Sequence, residues 1–569
     1  MFLPVTREEM RSLGWDVLDV ILVTGDAYID HPAMGTALVG RVLQAAGFRV
    51  GIIAQPDIAS PDDISRLGEP RLFWGVSGGA VDSMVANYTA VGKRRKRDDF
   101  TPGGVNDRRP DRAVIAYSNL IRRYCKGTAP IVLGGIEASL RRIAHYDWWG
   151  NAVRRSILFD AKADLLLYGM ADETVVELAE SLRDGRDWRS LRGLCFIGRQ
   201  VEEDAEPLPS FEEVARDPAA FFRMFSAFYR NNDPLRGRRL VQQHGDRWLI
   251  HNPPPLPLGE ATLDRIHELP FRRDLHPWHA RAGKVRALDT VRFSLTTHRG
   301  CYGECNFCAI AVHQGRTIQS RSIGSLLREA GSFAAHPAFK GIISDVGGAT
   351  ANMYGRDCPV KIGKGACAGR RCLYPEPCPQ LPVDHRPQLE LLRRLRQLPG
   401  VKKVFIGSGI RYDMVLADRE SGRAYLEEVV RHHVSGQLKI APEHADPAVL
   451  ALMGKPGVEG LLAFRDLYFT LCRSAGREQY LTYYFIAAHP GCGQEEMERL
   501  RRFCGRELRL FPEQVQIFTP TPATWSTTMY HTGLDYRDGR KISVEKNGQA
   551  RQRQKEALLP RPATEGRRR

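Results

Sequence analysis

Three cysteines, Cys301, Cys305 and Cys308, stand in a C-x3-C-x2-C run. Cysteine thiolates are the usual protein ligands of iron–sulfur clusters. Three thiolates this close can hold three irons of a 4Fe–4S cube and leave the fourth iron open. A catalytic metal centre needs such an opening, whereas a structural site closes itself. Zinc sites pair two short-spaced cysteines with a distant second pair, which the triplet does not reproduce. Gly300 and Gly303 leave backbone room for a loop that must wrap a bulky cube.

A second group, Cys358, Cys367, Cys372 and Cys378, lies among glycines and prolines. Four thiols on a core-poor loop suggest a second iron–sulfur cluster or zinc. Their spacing does not choose the metal, and reduced thiols without metal remain the alternative. These two groups hold seven of the 12 cysteines. The other five, Cys125, Cys195, Cys472, Cys492 and Cys504, read as small buried hydrophobes.

The chain carries no signal-peptide layout, because Arg7-Glu8-Glu9 stands where an apolar core should be. Its longest apolar run, Val17 to Val23, has strand length, so no membrane span is expected. The reading is a cytoplasmic protein, and disulfides are not expected in that compartment. A net charge of +16 suits a polyanionic partner such as RNA, or a solvated basic surface.

The elements that must position these residues fall into two series within 569 residues. Residues 1–200 alternate strand-like and helix-like patterns. Strands are expected at Asp19–Gly25, Arg49–Ala54, Ala113–Ala116, Pro130–Gly135 and Asp164–Gly169. This alternation predicts a flavodoxin-like, doubly wound α/β domain. Residues 91–112, with Lys93-Arg94-Arg95-Lys96-Arg97, read as an exposed loop. Gly134–Ser139 is a strand-to-helix turn able to take an anion, without a G-x-G-x-x-G fingerprint. Residues 201–289 read as a proline-bearing connector.

From residue 290 to 540 six further strands each end in a polar or glycine-rich loop. The cysteine triplet follows the first, Gly347-Gly348 the second, and Ser408 and Arg411 the third; Glu443 follows the fourth. Six β/α units suit a (β/α)6 partial barrel, with chemistry on the loops after the strands. The cysteine-rich segment 355–380 is an insertion after the second strand. Residues 541–569 read as a basic disordered tail.

The triplet, with Phe307 before its third cysteine, resembles the signature of the radical S-adenosylmethionine (radical-SAM) superfamily. Gly25–Pro32, Ile53–Pro56, Gly347–Tyr354, Cys372–Cys378 and Phe518–Pro522 resemble the YgiQ-like family within it, over residues 15 to 540. The resemblance implies a 4Fe–4S cluster on Cys301, Cys305 and Cys308, with S-adenosyl-L-methionine chelating the open iron. It implies Phe307 near the adenine, and Gly347 and Gly348 against the methionyl amino group. Ala349 stands where the superfamily often has an acid. Ser408, Arg411 and Glu443 are ribose or carboxylate contacts by the same resemblance, or ordinary loop-end polar residues. It further implies one-electron cleavage of the cofactor, radical chemistry on a substrate, and a flavodoxin- or ferredoxin-type electron donor.

A flavodoxin-like domain before such a barrel is similar to enzymes that bind cobalamin. The cobalamin signature is D-x-H-x-x-G. Here Asp30 and His31 are adjacent, with Gly35 in place, so a substrate-binding or structural domain is favoured. Two alternatives stay open: a zinc-dependent RNA-binding protein, and a radical-SAM enzyme that modifies RNA.

Overall fold

The computed structural model describes residues 1–201 and 203–560. The first strand, β1 (Val20–Thr24), is buried along its whole length. A strand covered on both faces must be apolar throughout, as this one is. Beside it lie β2 (Val50–Ala54), β3 (Phe73–Ser77), β4 (Ile131–Gly134) and β5 (Leu165–Leu167). All five are parallel and run in the order β2-β1-β3-β4-β5, the flavodoxin-like arrangement. Such sheets bind ligands beyond their carboxyl ends, here Thr24, Ser77 and Gly134.

The sheet does not stop at residue 200. Strands β6 (Leu194–Gly198), β7 (Glu206–Leu208), β8 (Leu240–His244) and β9 (Arg247–His251) extend it past β5 in the order β6-β9-β8-β7. Much of the segment expected as a connector is therefore the edge of the first sheet. Alternation explains it: Leu240 and Leu249 enter one face's core, Val241 and Ile250 the other. Pro253–Pro255 follow β9 and do not interrupt it.

Three further expectations need correction. Ala113–Ala116 is not a strand but opens the helix Ala113–Tyr124. Val114, Tyr117 and Ile121 recur at helical spacing and are buried together. In the segment 91–112, Lys93–Arg97 is exposed as expected. The rest is pinned down: Arg109 is buried and pairs with Asp26 at 2.8 Å and Asp98 at 3.0 Å. The disordered tail expected over residues 541–569 is ordered in its described part. Helix Gly548–Glu556 buries Arg551 and Gln554, with Leu558 beyond it, and the Gln554 amide oxygen accepts from Ala488 N at 2.9 Å. Residues 561–569 lie outside the described residues.

The second unit is built on β10 (Ser294–Thr296), β11 (Ile342–Ile343), β12 (Asp345–Gly347), β13 (Lys403–Val404), β14 (Gln437–Glu443), β15 (Tyr480–Ala487) and β16 (Gln514–Ile517). β11 and β12 form one pass broken at Ser344, so there are six parallel passes. The third pass meets the fourth through Ile406 N to His433 O and Ile410 N to Lys439 O, at 3.0 and 3.1 Å. This is a six-stranded partial barrel covered by amphipathic helices such as Arg386–Arg396 and Glu459–Ser474. No helix among the described residues is long and apolar enough to cross a membrane. All 12 cysteines are free thiols.

Candidate metal and cofactor site

The cysteine loop leaves β10 through a closed neck. His298–Arg299 pairs antiparallel with Gln319–Ser320. Gly300 sits at φ +87°, and a Cβ there would meet the Thr317 carbonyl oxygen at 2.1 Å. Glycine at this point is a steric requirement. Within the neck, Cys308 N donates to Cys305 O at 3.0 Å and Gly303 N to the Cys301 sulfur at 3.4 Å.

Residues from four other places hold the loop. Glu304, at φ +46°, is buried with its carboxylate against Arg316 at 3.2 Å and the Tyr229 hydroxyl at 3.0 Å. Asn306 donates from its backbone to Met453 O and from its side chain to Leu452 O, at 2.9 and 2.8 Å. Its own carbonyl accepts from Ser526 N. Arg371, on the cysteine-rich insertion, donates to the Glu304 carbonyl and the Asn306 side-chain oxygen. Neither Glu304, Asn306 nor Arg371 was singled out by motif reasoning, because their roles depend on partners far away in sequence.

The loop's interior suits a thiolate-bound cation. Burial, then the neighbouring Cys305 and Cys301, push the Cys308 thiol up to about 12. Burial likewise raises Cys301, with Cys305 next. The Cys305 sulfur is thus close enough to oppose ionisation of Cys301 and Cys308. Such a set becomes thiolate when a metal replaces the protons. Arg411 Nη1 approaches the Cys305 sulfur at 3.7 Å, and its guanidinium is itself paired with Asp413. Among the described residues, no three His, Cys, Asp or Glu side chains form a single-ion site. A cube is wider, because each cysteine binds a different iron.

The other residues singled out from sequence surround this loop unevenly. Thr350, just past the glycine pair, lies 3.9 Å from the Cys301 sulfur through its hydroxyl. A Cβ on Gly348 would meet His298 O at 2.6 Å, and one on Gly347 would meet the Ser408 hydroxyl at 3.1 Å. The glycine pair therefore also serves close packing inside the protein. Ser408 donates its hydroxyl to Asp345, whose other oxygen accepts from Gly407 N and Ser408 N. Ser408 thus ties the second and third passes together. Glu443 is buried at φ +71°, and burial raises its carboxyl, opposed by Lys455 and Arg411. Phe307 is partly buried between the two main cores, edge-on to His489 with ring centres 6.5 Å apart.

In the second cysteine group, Cys358, Cys372 and Cys378 gather in one small core with Tyr302, Leu373 and Cys301. Burial pushes the Cys372 thiol up to about 12. Cys367 is exposed. Elsewhere, His31 is buried with Nδ1 accepting from Ala33 N at 3.0 Å and Nε2 at 2.8 Å from Arg273. Asp30 pairs with Arg41. At the Gly134–Ser139 turn, Glu137 accepts from Ser83 N and Val114 N, placing a carboxylate where an anion was expected.

Residues 2–294 match the family described as Radical SAM N-terminal. The match spans the whole first sheet, including the presumed connector, and ends at the first residue of β10. The chain is 54% identical over 558 residues to a UPF0313 protein of Fusobacterium nucleatum subsp. nucleatum, covering 98% of each. It belongs to the radical-SAM superfamily, in the YgiQ-like UPF0313 family. This radical-SAM enzyme is also 49% identical to a UPF0313 protein of Thermotoga neapolitana over 98% of both chains. Among solved structures it is similar in fold to the cobalamin-dependent S-adenosylmethionine radical enzyme OxsB with aqua-cobalamin bound. That likeness has a TM-score of 0.50 at 13% identity, covering 90% of this chain and 55% of OxsB.

Proposed function

We propose that Cys301, Cys305 and Cys308 hold a 4Fe–4S cluster whose open iron binds S-adenosyl-L-methionine. The observation that carries this reading is the closed, partly buried three-cysteine loop at the carboxyl end of β10, with Thr350 and Arg411 against two of its sulfurs. When bound, the cluster would supply the one electron that cleaves the sulfonium carbon–sulfur bond and so starts radical chemistry on a substrate. A flavodoxin- or ferredoxin-type protein is the proposed electron donor.

The chain's own residues bind and orient. Gly347, Gly348 and Phe307 line the cofactor's approach, and Glu443 is the acid proposed to meet its ribose or amino group. Arg411 holds positive charge beside the thiolates and favours their ionised form. Ser408 acts through Asp345, in a positioning role. Cobalamin, which OxsB binds, would have to bind here without His31, because both of its ring nitrogens are engaged.

Anaerobic reconstitution with iron and sulfide tests the proposal. The expected product is a brown protein that releases 5′-deoxyadenosine when reduced with dithionite in the presence of S-adenosyl-L-methionine. Replacing all three cysteines by alanine should abolish both. A colourless wild-type protein after reconstitution sinks the reading.

A further inference from the structure

A cavity of about 540 Å³ lies between the two units. Its floor is the carboxyl edge of the first sheet, at Thr24, Ser77 and Gly134, and its roof carries Thr296, Gly347 and Gly348. This volume falls in the range of about 300–1,000 Å³ typical of small-molecule sites. Most of the wall is aliphatic, from strand and helix residues such as Leu22, Val39 and Leu295.

Every charged side chain on the wall is already held within the fold. Asp26 pairs with Arg109 and Asp172 with Arg299, at 2.8 and 2.6 Å. Asp345 is held by Ser408 and two backbone amides. A charged ligand would meet no uncompensated partner and would lose its hydration. The lining histidines differ: besides His298, whose Nε2 is without a partner, there are two others. His267 is 3% exposed, and neither ring nitrogen has a partner. His313 leaves Nδ1 unpartnered. Burial holds both rings neutral, so each offers one donor and one acceptor. Buried polar atoms without partners are uncommon in folded proteins, and several here lie on one cavity wall.

We infer that this cavity binds a neutral, mainly apolar small molecule carrying at least one hydrogen-bonding group that His267 or His313 engages. Resting on the function proposed above, the inference makes this molecule the substrate class: it would lie against Gly347 and Gly348, beside the cofactor's place. A compact molecule held whole is a different substrate from the RNA suggested by net charge.

The test uses the full chain and N-phenyl-1-naphthylamine, a neutral fluorophore with one N–H donor. Binding should be stoichiometric and at least about tenfold tighter than that of its anionic relative 8-anilinonaphthalene-1-sulfonate. Val39→Trp and Met170→Trp fill the cavity from opposite elements, and either should abolish the signal while circular dichroism stays unchanged. His267→Leu should weaken binding about fivefold. Equal binding of the anionic probe, or neutral-probe binding unchanged in a folded filling variant, overturns the inference. So does aquacobalamin binding that the filling variants remove, which would assign the cavity to a corrinoid. None of these measurements needs a cluster, so their failure is distinct from failure to release 5′-deoxyadenosine.

Discussion

Arg371, the residue before Cys372, donates from Nη1 to the backbone carbonyl of Glu304, the residue before Cys305, at 2.9 Å. Through its second nitrogen it also reaches the Asn306 side chain at 2.7 Å. The cysteine-rich insertion is thus fastened to the cysteine loop. Charge-assisted hydrogen bonds contribute about 1.5–3 kcal/mol each. Arg371→Met should leave the fold intact and shorten the lifetime of a reconstituted cluster under chelator about tenfold, as followed by visible absorbance. A lifetime equal to wild type would show that the insertion does not steady the loop.

Glu304 is enclosed with Arg316 and Tyr229. Removing one member of a buried ion pair costs about 3–5 kcal/mol, because the other charge is left unpaired. Glu304→Ala should therefore lower unfolding stability by about 3 kcal/mol, and Glu304→Gln by less, since the amide oxygen still accepts. Urea denaturation of the metal-free protein reads both. Equal losses would argue that packing, not pairing, is at stake.

Gly300 cannot tolerate a side chain, with the Thr317 carbonyl 2.1 Å from a built Cβ and φ at +87°. Gly300→Ala should open the neck, cost about 1–3 kcal/mol, and cut iron incorporation several-fold. Gly363→Ala, where a Cβ meets nothing within 4 Å, is the control. Iron content per chain after reconstitution distinguishes them.

The thiols should differ sharply in reactivity. Cys367 is exposed, whereas burial pushes Cys372 and Cys308 up to about 12. Thiolate is the reacting form, so Cys367 should take up one equivalent of maleimide first at neutral pH. Cys367→Ala should remove that fast phase. If reconstitution protects Cys367 from labelling in a Cys301→Ala, Cys305→Ala, Cys308→Ala background, the second group has taken up a metal.

Acid should destabilise the protein partly through His313, which burial lowers to about 4. The unfolded imidazole protonates near pH 6.5. Between those values the unfolded state binds more protons, so stability is present above pH 6.5 and is lost as pH falls toward 4. The slope is about 1.4 kcal/mol per pH unit for one such group. Comparing wild type with His313→Gln at pH 7, 6 and 5, the variant should lose less. Parallel losses would show that the ring is already protonated or solvated.

The sequence alone identified the three-cysteine loop, its family, the flavodoxin-like sheet and the six-pass barrel, because these rest on local information. Ligand spacing is written in consecutive residues, and β1 or Ala113–Tyr124 carries its own apolar period. Even there, Ala113–Ala116 misled, since four apolar residues fit a strand or a helix until Tyr117 and Ile121 are counted. What only the tertiary structure decided depends on residues distant in the chain. Strand β9 joined the first sheet by pairing with β6, about fifty residues away. Ser408 turned inward because Asp345 was there to accept, and His31 because Arg273 was there to donate. Helix Gly548–Glu556, polar along its length, found its order only by covering the ends of β15 and β16. Burial and charge pairing are properties of neighbours in space, and the order of residues along the chain does not state who those neighbours are.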